Sequence, residues 1–242
     1  MKTLVFSKRC AKEILRDPLN LIFGLAFPVI LILILTVIQK NIPVSIFEID
    51  SLAPGMIVFS FAFIALFSSL LISKDRESTF LQRLFASPMK ATDFILGYTL
   101  PLVLIALLQA VICFLTGVIL GLKINVNIIY AIIAAIPMAV FNISFGLMCG
   151  SVLSSKAAGG LCGALFSNLA AFLSGIWLDL KLIGGAFEKF AKCLPFYNAV
   201  EVEKAVYMGR FSDVKTEFII VCAYAAVTLV ISIFVFLKQM KK

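Results

Sequence analysis

The side chains able to carry chemistry are few, and their placement speaks mostly against catalysis. No histidine occurs among the 242 residues, which removes the commonest general base and the commonest metal ligand together. The six cysteines show no CxxC spacing, and Cys113, Cys149, Cys162 and Cys222 fall inside apolar runs. A thiol there serves as a small hydrophobe rather than as a ligand or half of a disulfide. No GxxxxGK[ST] phosphate loop appears, so the chain has no means of holding ATP in the P-loop manner. Leu173-Ser-Gly175 looks like an ATPase signature fragment but lies within an apolar stretch, and the Asn142-Ile-Ser144 glycosylation sequon is discounted for the same reason. What remains are polar groups inside apolar runs: Gln109, Asn142, Ser144, Ser167 and Asn168. Hydrogen bonding between helices, at about 1 kcal/mol each, is the favoured role for them. Ser167, Asn168 and Asn142 are kept as candidate lining of a pathway.

Composition names the solvent in which these groups sit. The chain is 62% hydrophobic and 14% charged, with mean hydropathy +1.10, against roughly 45–50% apolar residues in soluble domains. A bilayer accommodates this much apolar surface without a core. The formal net charge of +8 does not indicate nucleic acid, because the 21 Lys and Arg form short clusters beside apolar runs rather than one basic face.

A span needs about 20 mostly apolar residues, and six stretches qualify: 21–38, 54–73, 94–122, 128–153, 159–178 and 218–237. Pro101 and Pro137 interrupt the third and fourth, where each removes a backbone hydrogen bond and predicts a kink or an interfacial start. Lys2, Lys8, Arg9, Lys12 and Arg16 precede the first stretch, Lys74, Arg76, Arg83 and Lys90 follow the second, Lys156 follows the fourth, and Lys238, Lys241 and Lys242 end the chain. The opposite short loops carry only Lys40 and Lys123, so the positive-inside rule places both termini in the cytoplasm. The opening residues read as a retained anchor rather than a secretory signal, since Pro28 interrupts the apolar run and no small-x-small site follows it. Residues 1–18 predict an interfacial helix, with Phe6, Cys10 and Ile14 on one face and Lys8, Arg9, Lys12 and Arg16 on others.

Two segments outside the spans stand out. In the loop 74–90, Thr79 and Gln82 suit a capping box, Phe80, Leu81, Leu84 and Phe85 recur at helical spacing, and Pro88 stops the pattern. Such a stripe either lies on lipid beneath its own bundle or docks into a groove on a cytoplasmic protein. In the segment 181–210, Pro195 separates two short amphipathic stretches, one with Phe187, Phe190 and Leu194, the other with Tyr197, Val200, Val206 and Met208. It reads as a re-entrant hairpin or as a surface loop, with Glu201, Glu203 and Lys204 either lining the exit of a pathway or, the favoured reading, facing solvent.

The charged run leading into Thr79-Phe-Leu-Gln-Arg-Leu-Phe-Ala-Ser-Pro-Met89, with Asp93-Phe-Ile-Leu-Gly97 after it, resembles the coupling-helix segment of ABC-2 type transporter permeases. Leu194-Pro-Phe-Tyr-Asn-Ala-Val-Glu-Val-Glu-Lys-Ala-Val-Tyr-Met-Gly209 is similar to that family's external re-entrant region, with its Leu-Pro start and closing Gly. Glu77-Ser-Thr-Phe departs from the Gly-Thr-Leu-Glu-like sequence often found there. The resemblance covers the whole chain and implies an all-α membrane domain of the type V exporter kind: an interfacial helix, six transmembrane helices, a cytoplasmic coupling helix and an external re-entrant segment. It also implies that Phe80, Leu81, Arg83, Leu84 and Phe85 contact a separate cytoplasmic ABC ATPase, which would hold the ATP and Mg while this chain binds no cofactor. A second permease, as homo- or heterodimer, would complete the pathway. A short separate permease further points to a bacterial cytoplasmic membrane.

The rival readings are an ion-driven carrier and a membrane-embedded assembly factor. The first needs charges well inside the spans and the second a cluster of catalytic polar groups; the expectation is that neither exists. Drugs, lipids, lipid-linked glycans and peptides all suit apolar, uncharged spans as substrates.

Overall fold

The computed structural model describes residues 2–18, 22–43, 47–78, 80, 91–177 and 180–240. Among these all regular structure is helical, and six helical segments are long and apolar enough to cross a membrane. Helix α1 (Lys2–Arg16) turns Phe6, Cys10 and Ile14 into the bundle. The first span enters through a π-helical turn, Ile22–Ala26, and continues as α2 (Phe27–Asn41). The second is α3 (Ile49–Glu77), which starts about a turn before the expected Pro54 and carries on past Ser73. Pro54 lies near the helix start, so only the bond it would donate to Asp50 is lost, and the turn holds through Leu52 N–H to Glu48 O at 2.8 Å. Helix α4 (Ala91–Ile119) runs through Pro101.

The fourth span is broken where its proline demands. Helix α5 (Asn127–Ala134) gives way at Ala135 to α6 (Ile136–Val152), and Pro137 takes a first-turn position of α6 where no donor is missed. The fifth is composite: α7 (Ser155–Ala158), a π-helical stretch Gly159–Phe166, and α8 (Ser167–Leu173). The opposite side carries three short helices, α9 (Leu180–Ile183), α10 (Gly185–Cys193) and α11 (Pro195–Tyr207). After a 3-10 turn at Phe211–Val214, the chain ends with α12 (Lys215–Met240).

Helix α3 is the axis of the bundle. In its apolar window 89% of the residues are buried, whereas α12 buries 17% and leaves Ile219, Val230 and Phe234 bare. The glycines explain how α3 comes to be enclosed. A Cβ at Gly150 would lie 2.5 Å from Ser69 O, one at Gly146 would overlap Ala65 O, and one at Gly117 would come within 2.8 Å of Ala53 Cβ. Close backbone approach through small residues is how helices associate when lipid offers no hydrophobic drive. Gly121, the partner of Gly117 in that pattern, has a different use: its φ of +110° turns the chain after α4, and open space surrounds it.

Gln109 joins three spans, its Nε2 donating to Ser60 O at 3.2 Å and to Gly24 O. This is the interhelical role expected of the buried polar groups. Asn142, Ser167 and Asn168 differ, because they donate to Met138 O, Cys162 O and Ala164 O on their own helical run. Four- and five-residue spacing on a helix puts a carbonyl within reach before any neighbouring span. Ser68 instead reaches across to Ile143 O at 3.0 Å.

Gly150→Val is expected to lower the thermal unfolding midpoint in detergent, as overpacking by about 1–3 kcal/mol would. Gly160→Ala, with nothing near the new methyl, should leave the midpoint within a degree or so.

Candidate functional site

Four consecutive charged residues, Lys74, Asp75, Arg76 and Glu77, end α3. On a helix successive side chains point about 100° apart, so a run of four cannot all face solvent when three sides of the helix are packed. Between them they reach several neighbouring elements. Lys74 Nζ reaches Asp17 at the end of α1 (3.4 Å). Arg76 Nη2 donates to Leu153 O at 2.5 Å. Glu77 accepts the Ser155 N–H and hydroxyl, each at 2.7 Å, at the start of α7. Asp75, 2% exposed, turns inward.

The Asp75 carboxylate is satisfied from two helices. Arg9 of α1 forks it, Nη1 to Oδ2 and Nη2 to Oδ1 (2.6 Å), and Tyr98 of α4 donates its hydroxyl to Oδ2 at 2.8 Å. A planar guanidinium matches a carboxylate with two parallel bonds, the strong form of this pair. Arg9 Nη2 also meets Glu13 Oε2 at 2.6 Å. Burial would lower the Arg9 pKa, but the hydrogen bond and charge of Asp75, with Glu13, outweigh it and hold the guanidinium above its usual value. Behind the pair the Phe6 ring stands edge-on to Tyr98 (4.9 Å) and Phe94 (5.9 Å) and sits over Gly97, where a Cβ would overlap it. Tyr98 in turn meets Phe236 of α12 at 6.3 Å. Thr3 Oγ1 bonds Asp93 Oδ1 at 2.6 Å, a second tie between α1 and α4. Cys10 beside this cluster is fully buried, and burial pushes its thiol up to about 12, which suits packing rather than reactivity.

The expected coupling segment begins immediately beyond this collar. Ser78 caps α3, its N–H bonding Lys74 O at 3.0 Å. The Phe80 ring then lies under the Arg9 guanidinium, 4.0 Å from ring centre to Cζ, a cation–π contact. Leu81, Arg83, Leu84 and Phe85 lie outside the described residues, as do Thr79, Gln82 and Pro88. Of the candidate pathway residues, Asn142 is fully buried, Ser167 nearly so, and Asn168 exposed.

Sequence reasoning missed the collar because 74–77 reads as a solvated charge run opening a loop. The signal was the spacing itself: a helix extended by one more turn past Ser73 carries one of the four inward.

A second correction concerns the opposite side. Glu201 pairs with Lys204 at 3.7 Å and is partly exposed, but Glu203 is 1% exposed rather than turned to solvent. It shares a face of α11 with Ala199, Val200, Val206 and Tyr207, all buried, and that face packs onto α3, α5 and α12. Its Oε2 has no hydrogen-bond partner among the described residues, and burial drives its pKa well above the carboxylate range. The Ala199–Glu203–Val206 spacing could have revealed this. Tyr207 anchors the end of α11, its hydroxyl donating to Lys123 O at 3.1 Å while its carbonyl accepts from Asn127 Nδ2 at 3.1 Å.

Among the described residues no group of three or more His, Cys, Asp or Glu could hold a metal. The arrangement fixes the end of the central helix to α1, α4 and α7. The family model described as ABC-2 type transporter matches residues 1–207, which takes in α1 to α11 and the collar. No curated protein matches the chain.

Two outcomes test these environments. Arg9→Gln should destabilise the protein by about 2–3 kcal/mol, because Asp75 is left buried and uncompensated. Adding Asp75→Asn should recover part of that loss, a coupling that a double-mutant cycle on thermal unfolding measures. For Glu203 the folded pKa is raised, so stability is fully present below the unfolded carboxylate pKa and falls as pH rises toward the folded value. Glu203→Gln should therefore raise stability at neutral pH and flatten its decline as pH rises above the unfolded carboxylate pKa.

Proposed function

The chain belongs to the ABC-2 type transporter family and is a permease component of an ABC transporter, and we propose that it is the pathway-forming subunit of an exporter driven through residues 80–85 by a separate cytoplasmic ATPase. The observation that carries this reading is the collar at the end of α3, directly before that segment. A push on 80–85 meets Phe80 against Arg9 first. From Arg9 it passes to Asp75, and so to the most enclosed helix of the bundle, and to Tyr98 on α4. The force therefore enters where three spans and the interfacial helix are bonded together, not at a loose loop.

ATP binding in paired ATPase subunits would draw the coupling segments together and shift the bundle between two states, a population shift powered from outside the chain. Nothing in the sequence supplies an engine of its own. The broad apolar faces of α2 and α12, where Ile34, Val37, Val230 and Phe234 are exposed, suit lipid and a second permease across a central route. On this reading the termini lie in the cytoplasm of a bacterial cell, which the Lys and Arg bias supports, and α9–α11 cap the outer end. The substrate belongs among drugs, lipids, lipid-linked glycans or peptides, since the spans offer apolar surface and neutral polar groups.

Leu84→Asp is expected to abolish partner-stimulated ATP turnover and transport in the co-purified, reconstituted complex, without lowering the thermal midpoint of the permease. Full activity in that variant would refute the contact.

A further inference from the structure

Beside the collar, between α1 and the lower end of α3, lies an open cavity of about 960 Å³. Its wall carries five cations, Lys8, Arg9, Lys12, Arg16 and Lys74, against two carboxylates, Glu13 and Asp17. Both carboxylates are engaged, Glu13 with Arg9 at 2.6 Å and Asp17 with Lys74 at 3.4 Å. Arg9 is further committed to Asp75. Lys8, Lys12 and Arg16 are left over: they are exposed, repeat every four residues along one face of α1, and make no ion pair or hydrogen bond among the described residues. Three unneutralised cations rim a concave space, and the chemistry that fits is an anion with several acceptor oxygens.

The same face names the source of that anion. Leu4 (69% exposed), Val5 (70%) and Leu15 (53%) stand out from α1 beside the cations. By helical rotation they fall within roughly a quarter turn of Lys8 and Lys12, while Phe6, Cys10 and Ile14 occupy the opposite, buried face. A soluble phosphate has no use for bare aliphatic side chains. A lipid uses both, with acyl chains against the aliphatics and a phosphate at the level of the ammonium and guanidinium groups.

We propose that this cavity binds the headgroup phosphate of an anionic phospholipid, held by Lys8, Lys12 and Arg16, with its acyl chains lying along Leu4, Val5 and Leu15. Lys8, Lys12 and Arg16 are not among the residues read as the ATPase contact, so the proposal does not depend on the identity of the ATPase. The site lies on the helix whose Arg9 grips Asp75, so an occupied site braces α1 against α3, and the lipid acts as a structural ligand of the collar.

The test is native mass spectrometry of the purified full-length chain titrated with phosphatidylglycerol or phosphatidylcholine. Wild type should retain phosphatidylglycerol in preference to phosphatidylcholine, and the preference should shrink as salt screens the headgroup. Each cation contributes about a fivefold preference, so K8Q/K12Q/R16Q should lose more than tenfold, whereas K8R/K12R should keep it. K40Q/K123Q, on the opposite side, should behave as wild type. Should the triple variant misfold, K12Q alone, whose side chain holds nothing in place, should show the fivefold loss. Undiminished preference in K12Q and the triple variant overturns the proposal, as does an equal loss in K40Q/K123Q. Displacement of phosphatidylglycerol by inorganic phosphate alone would make this a soluble-anion site. Absence of any lipid preference in wild type would leave the face to an acidic protein surface, and either result overturns the lipid assignment.

Discussion

A buried carboxylate cannot remain charged beside lipid without partners, and the demand of Asp75 for them organises this molecule. Meeting it requires the guanidinium of Arg9 and the hydroxyl of Tyr98 to arrive from two different helices. The interfacial helix is thereby pinned to the bundle by a charged bond as well as by its Phe6–Cys10–Ile14 stripe. A buried pair of this kind adds little net stability relative to an apolar replacement, but it penalises every arrangement in which one partner is missing. Its value lies in specifying one position of α1 against α3, as the proposed lever between an ATPase and the bundle needs.

The rest of the bundle is built to keep that lever stiff. Gly146 and Gly150 let α6 ride on the α3 backbone, Gln109 ties α3 to the first and third spans, and Arg76 and Glu77 fasten its end to the turn before α7. The opposite end is held differently. Phe196 packs against Phe141 and Phe166 at 5.9 and 5.5 Å, and α11 covers the outer part of α3 through Val200 near Gly55. A helix enclosed by close backbone contact transmits displacement along its length instead of absorbing it. Glu203 Oε2 on the capping helix is buried without a hydrogen-bond partner among the described residues, as are Asn125 Oδ1, Trp177 Nε1 and Glu217 Oε2 at the same end.

Much of the architecture was legible in the residues. Six apolar runs longer than a bilayer is thick have few alternatives to crossing it, because every backbone polar group must be paired inside the segment. The stripe of Phe6, Cys10 and Ile14 showed which face of α1 is buried, and Pro137 marked the break in the fourth span, since a missing N–H has the same consequence wherever the helix sits. The run Phe80 to Phe85 reads as an apolar stripe from its spacing, and only Phe80 of that run falls among the described residues.

The chain's own order of residues determined the solvent, the number of crossings, the lack of a P-loop motif, and the side on which positive charge collects, because each follows from composition and period along one segment. Only the tertiary structure decided that Asp75 and Glu203 face inward, that Arg9 belongs to Asp75, and that Asn142, Ser167 and Asn168 bond within their own helical runs. Those outcomes depend on which helices lie alongside. A charge run on a helix has the same local pattern whether its neighbour is water or a guanidinium 66 positions away in the chain.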